Sequence, residues 1–337
     1  MLLILWFVVP SVFADASIFL YHRFGEDRHS STNVRIEQFE SHLQLLADEQ
    51  FQVWPLKCIV DALQGGRTVP HNVVAITVDD AYLSVYQEAY PRLKARGWPF
   101  TVFVSTEPVD QKLKGFMTWD QMREMSRNGV TFANHGVTHR HLLKRLSGEA
   151  LKAWQVRMLW EIETAQKRLR DELGVTVKFF AYPFGEFDES LANLVAAEGY
   201  IGFGQQSGPV GVHADFRALP RFPFSEAYAG LTAFRQKART VELPVVKVDP
   251  WNPKLLGAQI PRLTLTLERQ IKRASEIRCH VTGQGLAKID WLRDDFTELT
   301  VEARKTLPLG RSRYNCTVPA GGGRYHWYSH LWITMEQ

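Results

Sequence analysis

The stretch Val73 to Tyr82, VVAITVDDAY, constrains this chain most: six apolar or β-branched residues stop at two adjacent carboxylates, Asp79 and Asp80. A short run of this kind reads as a buried strand of a parallel sheet whose tip ends at a site. Successive side chains on a strand point to opposite faces, so bringing both carboxylates to one pocket requires a bend at the tip, at Ala81. The alternative is a plain strand end followed by an acidic helix cap. What other strands carry at their ends decides between the two.

The pattern recurs along the chain. Ser17 to His22 is an apolar strand ending in His22, and Pro99 to Val104 is another buried strand. Val130 to Ala133 runs into Asn134-His135, and Val177 to Tyr182 runs into Pro183-Phe184-Gly185. Tyr200–Phe203 and Ala218–Phe222 complete the strands. Helical spacing marks Arg35–Gln50, Ser84–Arg96, Thr118–Asn128, Glu149–Leu173 and Leu191–Glu198, the last four followed by Gly97, Gly129, Gly174 and Gly199. About seven alternations at this length predict an α/β fold, a closed or nearly closed (β/α)7 barrel rather than a doubly wound sheet. Chemistry in such barrels collects at the C-terminal strand ends, where His22, Asp79, Asp80, His135 and the Pro183 turn all fall.

After Leu243 the pattern changes. Residues 243–261 carry Pro244, Pro250, Pro253 and Pro261 and read as a linker; residues 262–337 alternate apolar and polar, predicting a small all-β sandwich. Cys279 and Cys316 lie in strand-like sequence and can pair in an oxidising compartment, whereas Cys58 reads as a buried thiol of an amphipathic segment. Residues 1–16 form an apolar run too short to span a bilayer, ending in small residues that suit signal cleavage, although no positive n-region precedes it. This predicts export to the periplasm or beyond, with the barrel over residues 17–242 and no transmembrane span in the mature chain. A net charge of +4 without a Lys/Arg run argues against nucleic acid as a partner.

His135-Gly-Val-Thr-His139 places two imidazoles four residues apart, on one face if the segment is a helical turn. With Asp80 as third ligand they form a His-His-Asp site that leaves a position open for water, as hydrolytic metals require.

Three segments together, Thr77-Val-Asp79-Asp80-Ala81, His135-Gly-Val-Thr-His139 and Phe180-Ala-Tyr-Pro-Phe-Gly185, resemble in order and spacing the leading motifs of the NodB-type polysaccharide deacetylases, carbohydrate esterase family 4. The resemblance covers roughly Ser17 to Glu242. It implies a distorted (β/α) barrel that removes N-acetyl groups from an amino-sugar polysaccharide with one divalent transition metal ion, zinc foremost, cobalt or nickel otherwise. By motif position Asp79 resembles the general base, Asp80, His135 and His139 the metal ligands, and the Phe184 backbone N–H the oxyanion donor. Coordination would hold Asp80 ionised and leave Asp79 to accept a proton.

Most family members carry their general acid on a Leu-x-His strand near the end of the domain, and none stands between Gly202 and Glu242. Leu20-Tyr21-His22 comes first instead, resembling the circularly permuted branch that includes the poly-N-acetylglucosamine deacetylases of biofilm systems; His22 takes the acid role. Ala181 stands where the family often has Arg, so Arg221 is assigned to orient Asp79, with Arg23 competing. Ala81 replaces the usual Gly and is expected to keep φ negative. Tyr182 and Trp119 are candidate sugar contacts, and Tyr325–Tyr328 with Trp332 a glycan platform or a sandwich core. The alternatives are action on peptidoglycan or acetyl xylan, or non-catalytic glycan binding.

Overall fold

The computed structural model describes residues 15–336 apart from positions 68 and 71, so the signal segment read over residues 1–16 lies outside the described residues except for Asp15 and Ala16. Seven parallel strands carry the first part of the chain: β1 (Ser17–Tyr21), β2 (Val73–Asp79), β3 (Thr101–Val104), β4 (Thr131–Asn134), β5 (Phe179–Ala181), β6 (Ile201–Phe203) and β7 (Phe222–Pro223). They lie in the order β7-β1-β2-β3-β4-β5-β6, with the two-residue strand Gln52–Val53 also paired to β2. The sheet curls: Leu219 bridges Phe203 of β6, and three residues later Phe222 pairs with Phe19 of β1. Residues 219–223 thereby join the two sheet edges.

Helices α1 (Ile36–Asp48), α2 (Leu56–Gln64), α3 (Tyr90–Ala95), α4 (Trp119–Arg127), α5 (Leu151–Leu173), α6 (Glu189–Ala197) and α7 (Leu231–Ala238) connect the strands. The predicted Ser84–Arg96 helix opens instead as a wider π turn, Val85–Ala89, where Pro91 has no N–H to continue the ladder. The short α7 carries too few residues for its period to stand out in the sequence. On α2 the buried side is Leu56, Ile59, Val60 and Leu63; Cys58 faces solvent and is exposed, contrary to the expected buried thiol.

Strand parity places the chemistry. Along β2, Val74, Ile76 and Val78 pack against Phe39 and Leu43 of α1, Leu93 of α3 and Met122 of α4. Ala75 points the other way, onto Ile18, Phe103, Ala133, Ala181, Phe203 and Leu219. Asp79 shares the parity of Ala75 and Thr77, so the strand delivers its carboxylate to the enclosed face.

The C-terminal part is all-β. One sheet pairs β8 (Val241–Glu242), β10 (Lys254–Leu256) and β12 (Arg278–Val281) around the long hairpin of β15 (Gly310–Gly321) and β16 (Arg324–Met335), with Gly285–Leu286 at its margin. The other orders β9 (Val245–Asp249), β11 (Arg262–Leu267), β14 (Glu298–Glu302) and β13 (Lys288–Trp291). Leu263, Leu265, Val301, Tyr314 and Trp332 form their shared core. The stretch read as a linker, 243–261, thus supplies β9 and β10, because its prolines flank these strands rather than interrupting them. Cys279 and Cys316 stand opposite each other on β12 and β15 and are disulfide-bonded.

That bond closes a sequence separation of 37 residues. Loop-closure entropy alone predicts a loss of about 3–4 kcal/mol for the Cys279→Ala/Cys316→Ala double variant. Urea unfolding checks it, and a loss below about 1 kcal/mol rules the estimate out.

Candidate active site

The tip of β2 is bent more sharply than the sequence suggests. Asp80 and Ala81 both adopt left-handed backbone, φ 76° and 55°, so the expected negative φ at Ala81 is not what the chain does. The reason is geometric: Asp80 follows Asp79 with opposite parity, and two consecutive left-handed residues swing its carboxylate to the same side. Asp80 N–H donates to Phe103 O at 3.0 Å and Met117 N–H to Ala81 O at 3.0 Å, tying down a conformation that costs about 1–3 kcal/mol per residue.

The segment from His135 to His139 is a loop, not the helical turn inferred from its spacing. Gly136 at φ 81° and His139 at φ 52° wind it tightly. Asn134 Oδ1 accepts from Gly136 N–H at 2.8 Å, and its amide donates to Ile162 O at 2.8 Å. Glu161, buried on α5, accepts from the N–H groups of Val137 at 2.8 Å and Thr138 at 3.0 Å. Asn134 and Glu161 are therefore part of the site although neither was read from the sequence. The available signal was Glu161 itself, an acid on the apolar stripe of Trp154, Met158, Ile162 and Ala165.

Asp80, His135 and His139 converge with their ligating atoms within 4.8 Å of one another. Asp80 Oδ1 lies 3.3 Å from His135 Nε2 and 3.1 Å from His139 Nε2. His135 Nδ1 sits 2.7 Å from Ala181 O, a geometry that places the ring proton on Nδ1 and turns the Nε2 lone pair toward Asp80. Asp80 Oδ1 is buried without a hydrogen-bond partner. A carboxylate oxygen and an imidazole lone pair facing each other require positive charge between them. Burial works against charge on both groups, yet His135 is shifted upward by Asp79 and Asp80, and Asp80 is held well below the usual carboxylate range by the two imidazoles. One divalent cation meets the same demand, and the donor set of two nitrogens and one oxygen suits zinc.

Asp79 has a different partner. Arg221 Nη1 donates to Asp79 Oδ1 at 2.7 Å and Nη2 to Oδ2 at 2.8 Å, both side chains being fully buried. Arg221 Nε donates to Gly204 O at 2.9 Å. Burial raises the Asp79 pKa, but the guanidinium and His135 outweigh it and the net shift is downward. Arg23, the competing candidate, pairs with Glu26 and lies over the Tyr82 ring at 3.4 Å.

Asp80 and His139 open into a cleft of about 500 Å³, which His22 and Phe184 also line. Burial lowers the pKa of the His22 imidazole, with the charges of Asp80 and Asp79 opposing. Phe184, at φ 59°, rests its ring 4.6 Å from His139 and stacks on His141 at 4.0 Å. Two sequence candidates are absent from the cleft. Tyr182 is buried, its hydroxyl donating to Arg217 O at 2.7 Å, because the chain turns at Pro183 and leaves it behind the site. Trp119 is held by Asp110 at 2.8 Å and by Arg168 over its ring, on the start of α4. Of the C-terminal aromatics, Trp332 is core while Trp327 reaches the cleft wall and packs edge-on against Phe222.

Comparison with known proteins agrees with this architecture. Residues 66–202 match the family model described as Polysaccharide deacetylase, in line with the NodB-type motifs that the same stretch carries. The chain is an enzyme of the deacetylase class. YxkH of Bacillus subtilis is 26% identical over 218 residues, 64% of this chain and 74% of that protein. The poly-beta-1,6-N-acetyl-D-glucosamine N-deacetylase of Staphylococcus aureus is 24% identical over 215 residues, 62% of this chain and 73% of that protein. Among solved structures, the Streptococcus pyogenes deacetylase PplD shares the fold with a TM-score of 0.60 at 22% identity, covering 67% of this chain and 98% of that one. IcaB from Ammonifex degensii gives 0.57 at 22% identity, covering 65% and 96%.

Replacing Arg221 by Met strands a buried carboxylate, at a cost of about 3–5 kcal/mol in urea unfolding. Arg221→Lys restores only part, since a point charge does not reproduce the fork. An unfolding midpoint unchanged in Arg221→Met would refute the pairing.

Proposed function

We propose that this chain is an exported, metal-dependent hydrolase that removes N-acetyl groups from an amino-sugar polysaccharide of the envelope or biofilm matrix. The observation that carries the reading is Asp80 Oδ1, buried and unpartnered between two imidazole nitrogens, beside a second carboxylate that Arg221 keeps separate. Similarity to a relative named as a poly-beta-1,6-N-acetyl-D-glucosamine N-deacetylase supports the substrate class. The Cys279–Cys316 bond suits an oxidising compartment, and no helix among the described residues is long and apolar enough to cross a membrane.

Asp80, His135 and His139 would hold the ion, zinc first among the candidates. When bound, such an ion polarises an acetyl carbonyl and lowers the pKa of water. The remaining work falls to the chain. Asp79, kept ionised by Arg221, accepts the proton of the attacking water on a carboxylate oxygen, which retains a free lone pair beside each Arg221 contact. The Phe184 N–H, on the turn that faces the cleft, donates to the oxyanion as the tetrahedral centre forms. His22, on the same cleft, delivers a proton to the amine nitrogen as the C–N bond breaks. Acetate and a free amino sugar result. The two adjacent aspartates are thus unequal: one belongs to the cation, the other to Arg221.

Acetate release by the zinc-loaded protein from poly-N-acetylglucosamine, chitin oligomers and peptidoglycan tests the reading; no acetate from any of them sinks it. Asp79→Asn is expected to keep stoichiometric zinc while kcat falls about 10²–10⁴-fold. Loss of zinc in that variant would mean that the base and ligand assignments are exchanged. Glu161→Ala, which removes the acceptor of the Val137 and Thr138 N–H groups, is expected to weaken zinc binding about 10–100-fold by competition titration. Zinc affinity equal to wild type would remove Glu161 from the site.

A further inference from the structure

One wall of the cleft comes from the C-terminal hairpin. On β15 the side chains alternate: Ser312, Tyr314 and Cys316 are buried, and Arg311, Arg313 and Asn315 line the cleft. Lys237 of α7 lines it too, with Nζ 4.5 Å from the centre of the Phe224 ring. Three cations therefore face the space that Asp80 and His139 open into.

Two of the three have no counter-ion. Arg311 is within 3.7 Å of Glu186 and donates to Phe184 O. Arg313 Nε is buried without a hydrogen-bond partner, and among the described residues no carboxylate is paired with Arg313 or Lys237. Burial and the charge of Arg311 lower the Arg313 pKa, with Tyr228 opposing, and burial and the charge of Arg313 push the Lys237 ammonium down to about 8. Elsewhere this chain pairs its enclosed cations, as with Arg221 and Asp79 or Arg157 and Glu149. The one acidic side chain among the described residues lining the cleft is Asp80, which the metal group claims. Half-buried like charges left side by side cost stability, and an anion removes the cost. The guanidinium fork of Arg313 matches a carboxylate or phosphate edge.

We propose that Arg313 and Lys237, with Arg311 beside them, form a subsite for an acidic substituent, a carboxylate or a phosphate, on a sugar adjoining the acetamido group at Asp80 and His139. The inference rests on the deacetylase reading and narrows it: the preferred polymer is an acidic one, and a neutral N-acetylglucosamine chain leaves both cations unpaired.

Calorimetric binding of three oligosaccharides of matched length to the zinc-loaded full chain tests this. One is a neutral N-acetylglucosamine oligomer, one carries carboxylates as in a peptidoglycan glycan strand, and one carries phosphate esters. One acidic oligomer is expected to bind at least about tenfold more tightly than the neutral one, and whichever does names the substituent. The gap should shrink in about 0.5 M NaCl. It should collapse in Arg313→Gln and in Lys237→Gln and persist in Arg313→Lys, which keeps the charge. Equal affinities for all three ligands, or a gap that survives both Gln variants, would overturn the subsite. Acetate release from the same oligomers separates the two readings. Acid-selective binding without acetate supports the subsite and strikes the chemistry, whereas equal kcat/KM on neutral and acidic oligomers strikes the subsite alone.

Discussion

The ion pair between Asp79 and Arg221 is the constraint on which the site depends. A carboxylate at full burial is untenable alone, and Arg221 satisfies both of its oxygens while anchoring its own Nε on Gly204. That contact also spans the fold, since Asp79 ends β2 and Arg221 lies in the segment that joins the two edges of the curled sheet. The residue that holds Asp79 ionised is therefore part of the segment that closes the sheet. Because Arg221 neutralises Asp79, the charge deficit at the neighbouring Asp80 and its two histidines remains for a cation to fill.

Much of this was legible in the sequence, for identifiable reasons. The strand–helix alternation was readable because the longer helices carry an apolar stripe and four of the five predicted ones stop at a glycine; Gly97, Gly129, Gly174 and Gly199 all have positive φ. Parity along Val73–Asp79 placed one carboxylate inward without any structure. Less accessible was whatever depends on backbone shape or on distant partners. Spacing of four suggested a helical turn for His135 and His139, but the loop is wound by Gly136 and by Glu161, which lies 22 residues beyond His139. Nothing local says that Asp80 and Ala81 are left-handed. Tyr182 and Trp119 were plausible sugar contacts by residue type, and each turned out to be committed to structure by a hydrogen bond. The prolines of 243–261 suggested a connection because counting them ignores where they fall relative to the strands.

The C-terminal sheets do more than follow the barrel. Leu331 and Ile333 of β16 share a core with Phe180, Tyr182 and Phe187, so the hairpin is seated against the strand that carries the Pro183 turn. Its other strand presents Arg311 and Arg313 to the cleft that Lys237 of α7 also lines.

The left-handed pair at the tip of β2 bears on sequence drift. At position 81 the backbone accepts glycine freely, tolerates alanine under strain and refuses a β-branched side chain. Variation there is filtered by shape before any test of activity, so a valine or isoleucine at 81 in a relative would signal a differently folded tip rather than a milder enzyme.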